Sequence, residues 1–214
     1  MSEKQLCIQN FIWDFDGMLF DTYPHTEAAF CEQQRRRGFV RDPDEVHRLF
    51  KINLRVGFAH YGLTEEEIRE FYALENDLTL KPLGVPYPKI PAILQLITER
   101  GGRNYLYTHR DRVALQYLDI YGLTPLFADF VTGEDGFPWK PAPDALEHII
   151  KKNGLKKDET VMLGDRDIDI FAGQNAGVYT LLYDDEGRYG DLGETRRAGT
   201  QKELYGAVSA MCGQ

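Results

Sequence analysis

The sequence has little cysteine, no excess of basic charge and no long apolar run, and each shortage excludes a class of protein. Three scattered cysteines among 214 residues favour reduced thiols over a disulfide framework or a zinc cluster. The net charge of -9 argues against a nucleic-acid-binding protein, which usually carries a basic stripe. No apolar run approaches the length of a membrane span, and the opening MSEKQLCIQN lacks the apolar stretch of a signal peptide. We therefore expect a cytoplasmic protein that binds neither nucleic acid nor a membrane.

Apolar residues make up 43% of the chain, which is enough for a large core. Short apolar runs alternate with longer amphipathic segments, a pattern typical of a parallel sheet covered by helices on both faces. Strands are predicted at residues 11–13, 105–108, 127–133, 160–165 and 178–183, and helices at 91–100, 111–122 and 141–154. The charged segment 184–197, after the last strand, is predicted to be an exposed loop.

One region, from about Thr26 to Leu80, contains helical patterns and no convincing strand. A capping box, in which Thr64 and Glu67 satisfy each other's backbone N–H groups, marks the start of one of its helices. The proline-rich segment 81–91 provides a stiff return path. We therefore predict an α/β core domain formed by residues 1–22 and 84–214, with a helical domain inserted at 23–83.

Polar side chains follow the predicted strands, at the edge of a parallel sheet where ligands usually bind. The residues concerned are Asp14 and Asp16, then Thr108, His109 and Arg110, then Lys140, and finally Asp165, Asp167 and Asp169.

Each of these residues also has an ordinary structural interpretation. Lys140 alone would be read as a surface lysine, and Asp167 and Asp169 as complements to a helix N-terminus. The similar pair Asp42 and Asp44 is better explained as helix capping. Together, however, the residues complement one another. Several carboxylates favour a hard divalent cation such as Mg²⁺, and a lysine and a hydroxyl beside it suit a phosphate. One front carboxylate could attack phosphorus while the other transfers protons.

In this order, the residues resemble the four motifs of the haloacid dehalogenase superfamily of phosphohydrolases. DFDGML at 14–19 matches the first motif, and YLYT ending at Thr108 matches the second. KPAP, starting at Lys140, and GDRDID, at 164–169, match the third and fourth. The resemblance implies a doubly wound, Rossmann-like parallel-sheet core with an inserted α-helical cap, which agrees with the domain prediction. The presence of Asp16 argues against the dehalogenases themselves, which lack this second aspartate.

The resemblance also implies roles for the matching residues. Asp14 would be the nucleophile and Asp16 the general acid and base, while Thr108 and the backbone N–H groups of Gly17 and His109 would bind the phosphoryl oxygens. Lys140 would neutralise negative charge. Mg²⁺ would be held by Asp14, by the backbone carbonyl of Asp16 and by Asp165, with Asp169 ligating or orienting it. Asp167 lies off the motif spacing and is interpreted as a bystander.

The cap would select the substrate, and Arg55 is the candidate for holding its distal anionic part, although a solvated helix residue explains Arg55 at least as well. The expected function is Mg²⁺-dependent hydrolysis of a small phosphomonoester, of the phosphoglycolate, sugar-phosphate or nucleotide type, by a monomer or weak homodimer. Two alternatives remain open at this point. One is a phosphomutase of the beta-phosphoglucomutase type, and the other is a non-catalytic protein that binds phosphate-containing ligands.

Overall fold

The computed structural model describes residues 6–212. Residues 1–5 and 213–214 lie outside this part. The first half of the segment MSEKQLCIQN, in which no signal peptide is expected, therefore lies outside the described residues. The two outer ends of the predicted core domain lie outside them as well. The chain divides into two units, Phe20–Val85 and the described parts of Met1–Leu19 and Pro86–Gln214. The boundaries predicted from the sequence are at 23 and 83, and the role of the smaller unit as a cap stays a prediction.

The larger unit is built on a six-stranded sheet in which every neighbouring pair is parallel. Its strands are β1 (Asn10–Trp13), β4 (Arg103–Tyr107), β5 (Phe127–Val131), β6 (Thr160–Gly164), β7 (Tyr179–Tyr183) and β8 (Arg196–Ala198). Its helices are α5 (Ile90–Glu99), α6 (Val113–Ile120), α7 (Asp144–Asn153), α8 (Asp167–Ala176) and α9 (Gln201–Met211). The predicted α/β class with a doubly wound parallel sheet is confirmed.

The strand order is β5-β4-β1-β6-β7-β8, which places β1 between β4 and β6. All four residues of β1 are buried, as expected for a strand covered on both faces. One face packs through Ile12, Tyr105 and Met162 against Leu146 and Ile149 of α7. Trp13, the last residue of β1, is in register with Leu106 of β4 and Leu163 of β6, and each of these two strands continues for one more residue. This register decides which side chains meet beyond the sheet.

The smaller unit contains the helices α1 (Tyr23–Arg36), α2 (Pro43–Ile52), α3 (Leu54–His60) and α4 (Glu65–Glu75). Short strands β2 (Phe20–Asp21) and β3 (Val85–Pro86) pair where the chain passes between the units. Its core is aromatic, with the rings of Phe30 and Phe50 centred 5.0 Å apart and those of Phe58 and Phe71 centred 5.1 Å apart. The expected capping box at Thr64 and Glu67 is confirmed, and so is capping by Asp42, whose Oδ1 accepts from the Asp44 N–H at 3.0 Å.

Three predicted strand ends and one predicted loop need correction. Thr108 lies just after β4 and Asp165 just after β6, and residues 132–133 lie beyond β5 because Gly133 begins a short 3-10 turn. Segment 184–197 is not a simple exposed loop, because Asp184 is buried and β8 begins at Arg196. Within the described residues no helix is long and apolar enough to cross a membrane.

Candidate active site

The carboxyl ends of β1, β4 and β6 bring together three of the predicted site residues. Asp14 directly follows β1, Thr108 follows β4 and Asp165 follows β6. The Asp14 N–H donates to the carbonyl of Leu163 at 2.8 Å, and the Thr108 N–H donates to the carbonyl of Val131 at 3.0 Å. These backbone bonds continue the sheet for one residue beyond each strand. The side chains are therefore held by the rigid part of the fold and not by a loop.

Asp14, Asp165 and Asp169 form a buried group of carboxylates that could hold a metal ion. Each offers one oxygen, and these oxygens lie within 4.8 Å of one another. Asp169 reaches the group from the first turn of α8, where it also accepts from the Arg166 N–H at 3.1 Å. A Cβ atom on Gly164 would collide with the Asp169 carboxyl group, so glycine is required here for the close approach.

This donor set fits a hard divalent cation. Among the described residues, buried Oδ2 of Asp14 has no hydrogen-bond partner, which is costly for a carboxylate oxygen unless another ligand binds there. Carboxylate oxygens are the ligands that Mg²⁺ prefers in proteins. The predicted ligands Asp14, Asp165 and Asp169 are thus brought together, and Asp16 contributes no side-chain oxygen to the group.

Lys140 lies inside this acidic group and is itself buried. Its Nζ lies 2.5 Å from Oδ1 of Asp14 and 2.8 Å from Oδ1 of Asp169, and it donates to the carbonyl of Tyr107 at 3.0 Å. The ammonium also stands 4.4 Å from the centre of the Tyr107 ring. Burial disfavours its charge, but Asp14 and Asp169 outweigh this and raise the pKa of Lys140. Lys140 is therefore charged, and the structure excludes the interpretation as a solvated surface lysine.

The carboxylates differ in their proton affinity. Burial raises the pKa of Asp14 to about 6, although Lys140 opposes the shift. Burial likewise raises the pKa of Asp165 to about 7, against the opposing charge of Arg166. Burial would also raise the pKa of Asp169, but Lys140 and Arg166 prevail and hold it below its usual value. In the absence of a metal ion, the site thus retains protons that a bound cation would displace.

The segment after β4 supplies a hydroxyl and a neutral imidazole. Oγ1 of Thr108 accepts from the Arg110 N–H at 3.0 Å, which closes a tight turn. Nε2 of His109 accepts from the Lys140 backbone N–H at 2.8 Å, and the His109 ring lies 4.3 Å from that of Trp139. Burial and the nearby Lys140 ammonium lower the pKa of His109 to about 3. His109 is therefore neutral and positions the Lys140 backbone.

Asp16 is paired with Arg110, an interaction that the sequence analysis missed. Nη2 of Arg110 lies 2.9 Å from Oδ1 of Asp16, and Nε donates to the same oxygen at 3.0 Å. The Arg110 side chain is only 7% exposed, against 30% for that of Asp16. The next residue, Gly17, has a φ of 77°, so its backbone turns in a way that glycine adopts readily. The sequence predicted that Arg110 lies at the carboxyl edge of the sheet, but no pattern in it indicated that Arg110 pairs with Asp16.

Two further arginines flank Asp165, and the sequence analysis missed both. Nε of Arg166 lies 3.9 Å from Oδ1 of Asp165, and Nη2 of Arg188 lies 3.7 Å from Oδ2. Arg188 belongs to the segment predicted to be solvated surface. One signal could have pointed to it, since Arg188 follows the carboxyl end of β7, at the edge where the other site residues gather.

Two more residues were singled out in the sequence, Arg55 as a candidate for substrate binding and Asp167 as a bystander. Arg55 is an exposed residue of α3 in the smaller unit, where its backbone N–H donates to Oδ1 of Asn53 at 2.8 Å. Asp167 begins α8, and its Oδ1 accepts from the Ile168 N–H at 2.8 Å, in keeping with a capping role.

Comparison with known proteins agrees with this site. Residues 11–183 match the family described as haloacid dehalogenase-like hydrolase. The chain therefore belongs to that family, and the expected class of enzyme, a phosphatase of this family, is confirmed.

Two relatives that are similar to this chain in sequence have different names. Pyrophosphatase PpaX of Halalkalibacterium halodurans is 34% identical over 185 residues, which cover 85% of this chain and 77% of the relative. Phosphoglycolate phosphatase of Aquifex aeolicus is 26% identical over 181 residues, 80% of this chain and 82% of the relative. Among solved structures, a HAD-superfamily hydrolase of subfamily IA from Geobacter sulfurreducens matches with a TM-score of 0.76 and 21% identity, over 94% of this chain and 100% of the other. This last similarity shows the fold alone.

Proposed function

We propose that this protein is a Mg²⁺-dependent phosphatase that hydrolyses a small phosphate ester through an aspartyl-phosphate on Asp14. The observation that carries the proposal is the buried group of Asp14, Asp165 and Asp169 with the ammonium of Lys140 between Asp14 and Asp169. A nucleophilic carboxylate needs its negative charge, and burial alone would protonate it. Lys140 counters that tendency at Asp14.

In the proposed first step, an oxygen of Asp14 attacks phosphorus while the bond from phosphorus to the leaving oxygen breaks. Asp16 donates a proton to that oxygen, so the leaving group departs as an alcohol. Thr108 and Lys140 interact with the negative charge of the phosphoryl oxygens. Mg²⁺, bound by Asp14, Asp165 and Asp169 with the Asp16 carbonyl, would offset the repulsion between nucleophile and substrate.

In the second step, Asp16 accepts a proton from a water molecule that attacks the phosphorus of aspartyl-phosphate. The bond between phosphorus and Asp14 breaks, phosphate is released and Asp14 returns to its carboxylate form.

The names of the relatives support a small phosphorylated substrate. Phosphoglycolate and pyrophosphate are accordingly the first compounds to examine. We also propose that the enzyme acts in the cytoplasm as a monomer or weak homodimer. The smaller unit would be the cap, with Arg55 facing the substrate.

The test is phosphate release from a panel of phosphate esters and pyrophosphate, with Mg²⁺ and with excess chelator. The key variant is Asp14→Asn. Asp129→Asn is the matched control, because Asp129 also pairs with a lysine, Lys152 at 2.9 Å, but on the edge strand β5. Mg²⁺-dependent release that is lost in Asp14→Asn and kept in Asp129→Asn is the expected result.

Two other outcomes would replace the proposal. Isomerisation of a sugar phosphate without phosphate release would indicate a phosphomutase. Binding of phosphate compounds without turnover would indicate a binding protein. Acid quenching of the reaction followed by mass spectrometry should reveal a phosphorylated Asp14 peptide, and phosphate release without this adduct would point to direct attack by water.

A further inference from the structure

Tyr107, the last residue of β4, makes two contacts with the ammonium of Lys140. Its backbone carbonyl accepts from Nζ at 3.0 Å, and Nζ also lies over its ring, 4.4 Å from the ring centre. A cation at this distance over an aromatic face is attracted by the negative charge of that face, most strongly where water is excluded. Water is excluded here, because Tyr107 is only 2% exposed and the Lys140 side chain is fully buried.

The core of the larger unit holds the ring of Tyr107 in a fixed position. Tyr107 belongs to the same buried cluster as Tyr105, Leu146 and Ala172. Its ring also meets the ring of His109 edge to face, with the centres 6.0 Å apart. Burial raises the pKa of Tyr107 to about 12, so the ring is uncharged at neutral pH. The hydroxyl is buried without a hydrogen-bond partner among the described residues, and the ring face is the part that contacts Lys140.

The two carboxylates that contact the Lys140 ammonium change during the proposed reaction. Nζ donates to Oδ1 of Asp14 at 2.5 Å and lies 2.8 Å from Oδ1 of Asp169. Asp14 loses its negative charge when it is joined to the phosphoryl group, and Asp169 is a proposed metal ligand. A buried ammonium that depended on these carboxylates alone would lose its partners during the reaction. The carbonyl and the ring of Tyr107, in contrast, keep their charge distribution throughout.

We propose that the aromatic face of Tyr107 positions Lys140, because a cation–π contact keeps the ammonium beside the phosphoryl group after Asp14 has lost its charge. The inference rests on the proposed function and adds Tyr107 to that site as a positioning residue. Tyr107 immediately precedes Thr108, so one strand end supplies both the hydroxyl for the phosphoryl oxygens and the surface that holds the lysine. A ring fixed by the core gives the flexible lysine stem a defined end point without adding charge to the site.

The test varies the negative charge of the ring face at nearly constant shape. Tyr107 is replaced by phenylalanine, as the reference, and by phenylalanine with one, two or three ring fluorines, each of which withdraws charge from the face. Relative to Tyr107→Phe, kcat should fall at each step and reach a loss of roughly 10-fold with three fluorines. The rate of aspartyl-phosphate hydrolysis, measured in a single turnover, should fall in parallel.

The same series at Tyr105 is the control, because Tyr105 is also buried, on the same strand and in the same core cluster. Both rates should stay constant across the Tyr105 series. Constant rates across the Tyr107 series as well would overturn the inference, because the ring would then only fill space. Equal falls in the two series would also overturn it, since the loss would come from fluorine in the core and not from the contact with Lys140.

A second measurement does not depend on turnover. The protons on Cε of Lys140, assigned by their absence in Lys140→Met, should give NMR signals upfield of those of other lysines, because Nζ lies over the ring. The signals should stay upfield when Mg²⁺ and beryllium fluoride, which takes the place of a phosphoryl group on a carboxylate, are added. Loss of the upfield shift on this addition would overturn the inference. Activity that survives Asp14→Asn would refute the proposed function instead, and the shift in the metal-free protein would then decide alone whether the ring holds the ammonium.

Discussion

Arg110 holds the carboxylate of Asp16 through two nitrogens, with Nη2 at 2.9 Å and Nε at 3.0 Å from the same oxygen. Asp14 and Asp16 are two acids separated by one residue, yet they have different cationic partners. Lys140 neutralises Asp14 inside the protein, and Arg110 neutralises Asp16 near the surface. The separate partners reduce the repulsion between the two acids, and they leave each carboxylate in a position suited to a different step of the proposed reaction.

Replacing Arg110 by alanine should impair proton transfer more than phosphoryl binding, because Asp16 loses the contact that orients it. For alkyl phosphates, whose leaving oxygen needs a proton, kcat/KM should fall roughly 10-fold to 100-fold. For 4-nitrophenyl phosphate, whose leaving group is stable as an anion, the loss should be smaller. Steady-state rates across a series of leaving groups measure this difference. Arg112→Ala is the control, because Arg112 is 64% exposed on the same segment. An equal loss for every leaving group would contradict the prediction.

Replacing Lys140 by methionine should destabilise the metal-free protein, because two buried carboxylates lose the ammonium between them. Removal of one partner from a buried ion pair costs about 3–5 kcal/mol of unfolding free energy. Lys152→Met is the matched control, since its pair with Asp129 is half exposed and should contribute about 0–1 kcal/mol. Urea unfolding near neutral pH gives both values. Similar losses in the two variants would mean that burial does not govern the Lys140 contacts.

The positions of Asp14 and Asp165 could be predicted because a simple rule connects sequence with space in a parallel sheet. Buried strands are recognisable as apolar runs, and their carboxyl ends meet at one edge, so the residue after each run is placed without knowledge of the packing. Asp14 follows β1 and Asp165 follows β6. Because the two strands are paired in parallel register, the two aspartates lie at the same edge of the sheet.

The arginines could not be predicted in the same way. Arg110 and Asp16 are 94 positions apart, and no periodicity in the sequence records a side-chain pair of that kind. Segment 184–197 misleads because charged residues usually indicate exposure, whereas Asp184 is buried by accepting backbone N–H groups. Strand β8 is likewise hidden in the sequence. It is a three-residue edge strand that begins with two arginines, and only Ala198 is buried.

The stability of the metal-free protein should depend on pH through Asp14 and Asp165. Their pKa values are raised from 3.8 to about 6 and about 7, so the folded protein holds more protons than the unfolded chain between about pH 4 and about pH 7. Linkage then requires that their contribution to the unfolding free energy, full below the unfolded pKa, is lost as the pH rises through the folded values.

Asp165→Asn isolates this effect, because asparagine has the same shape and does not titrate. Without metal, the stability of the variant relative to the unmodified protein should increase between about pH 4 and about pH 7. Mg²⁺ should stabilise the unmodified protein more than the variant and should remove the advantage of the variant, since the cation replaces the protons. Denaturant unfolding at several pH values, with Mg²⁺ and with chelator, measures both effects. Parallel pH curves for the two proteins would refute the prediction.

His109 should act as a neutral acceptor and not as an acid or base. Its pKa is lowered to about 3, and Nε2 accepts from the Lys140 N–H, so the ring proton resides on Nδ1. His109→Gln, which keeps an acceptor, should leave the shape of the pH–rate profile unchanged, whereas His109→Ala should cost about 1–3 kcal/mol of stability because a buried N–H loses its partner. The pH dependence of kcat/KM and denaturant unfolding test the two statements, and nitrogen NMR of the ring identifies the tautomer. An inflection near neutral pH that disappears in His109→Gln would show that the imidazole titrates during catalysis. Burial of the ring and the Lys140 ammonium beside it are the physical reasons to expect that it does not.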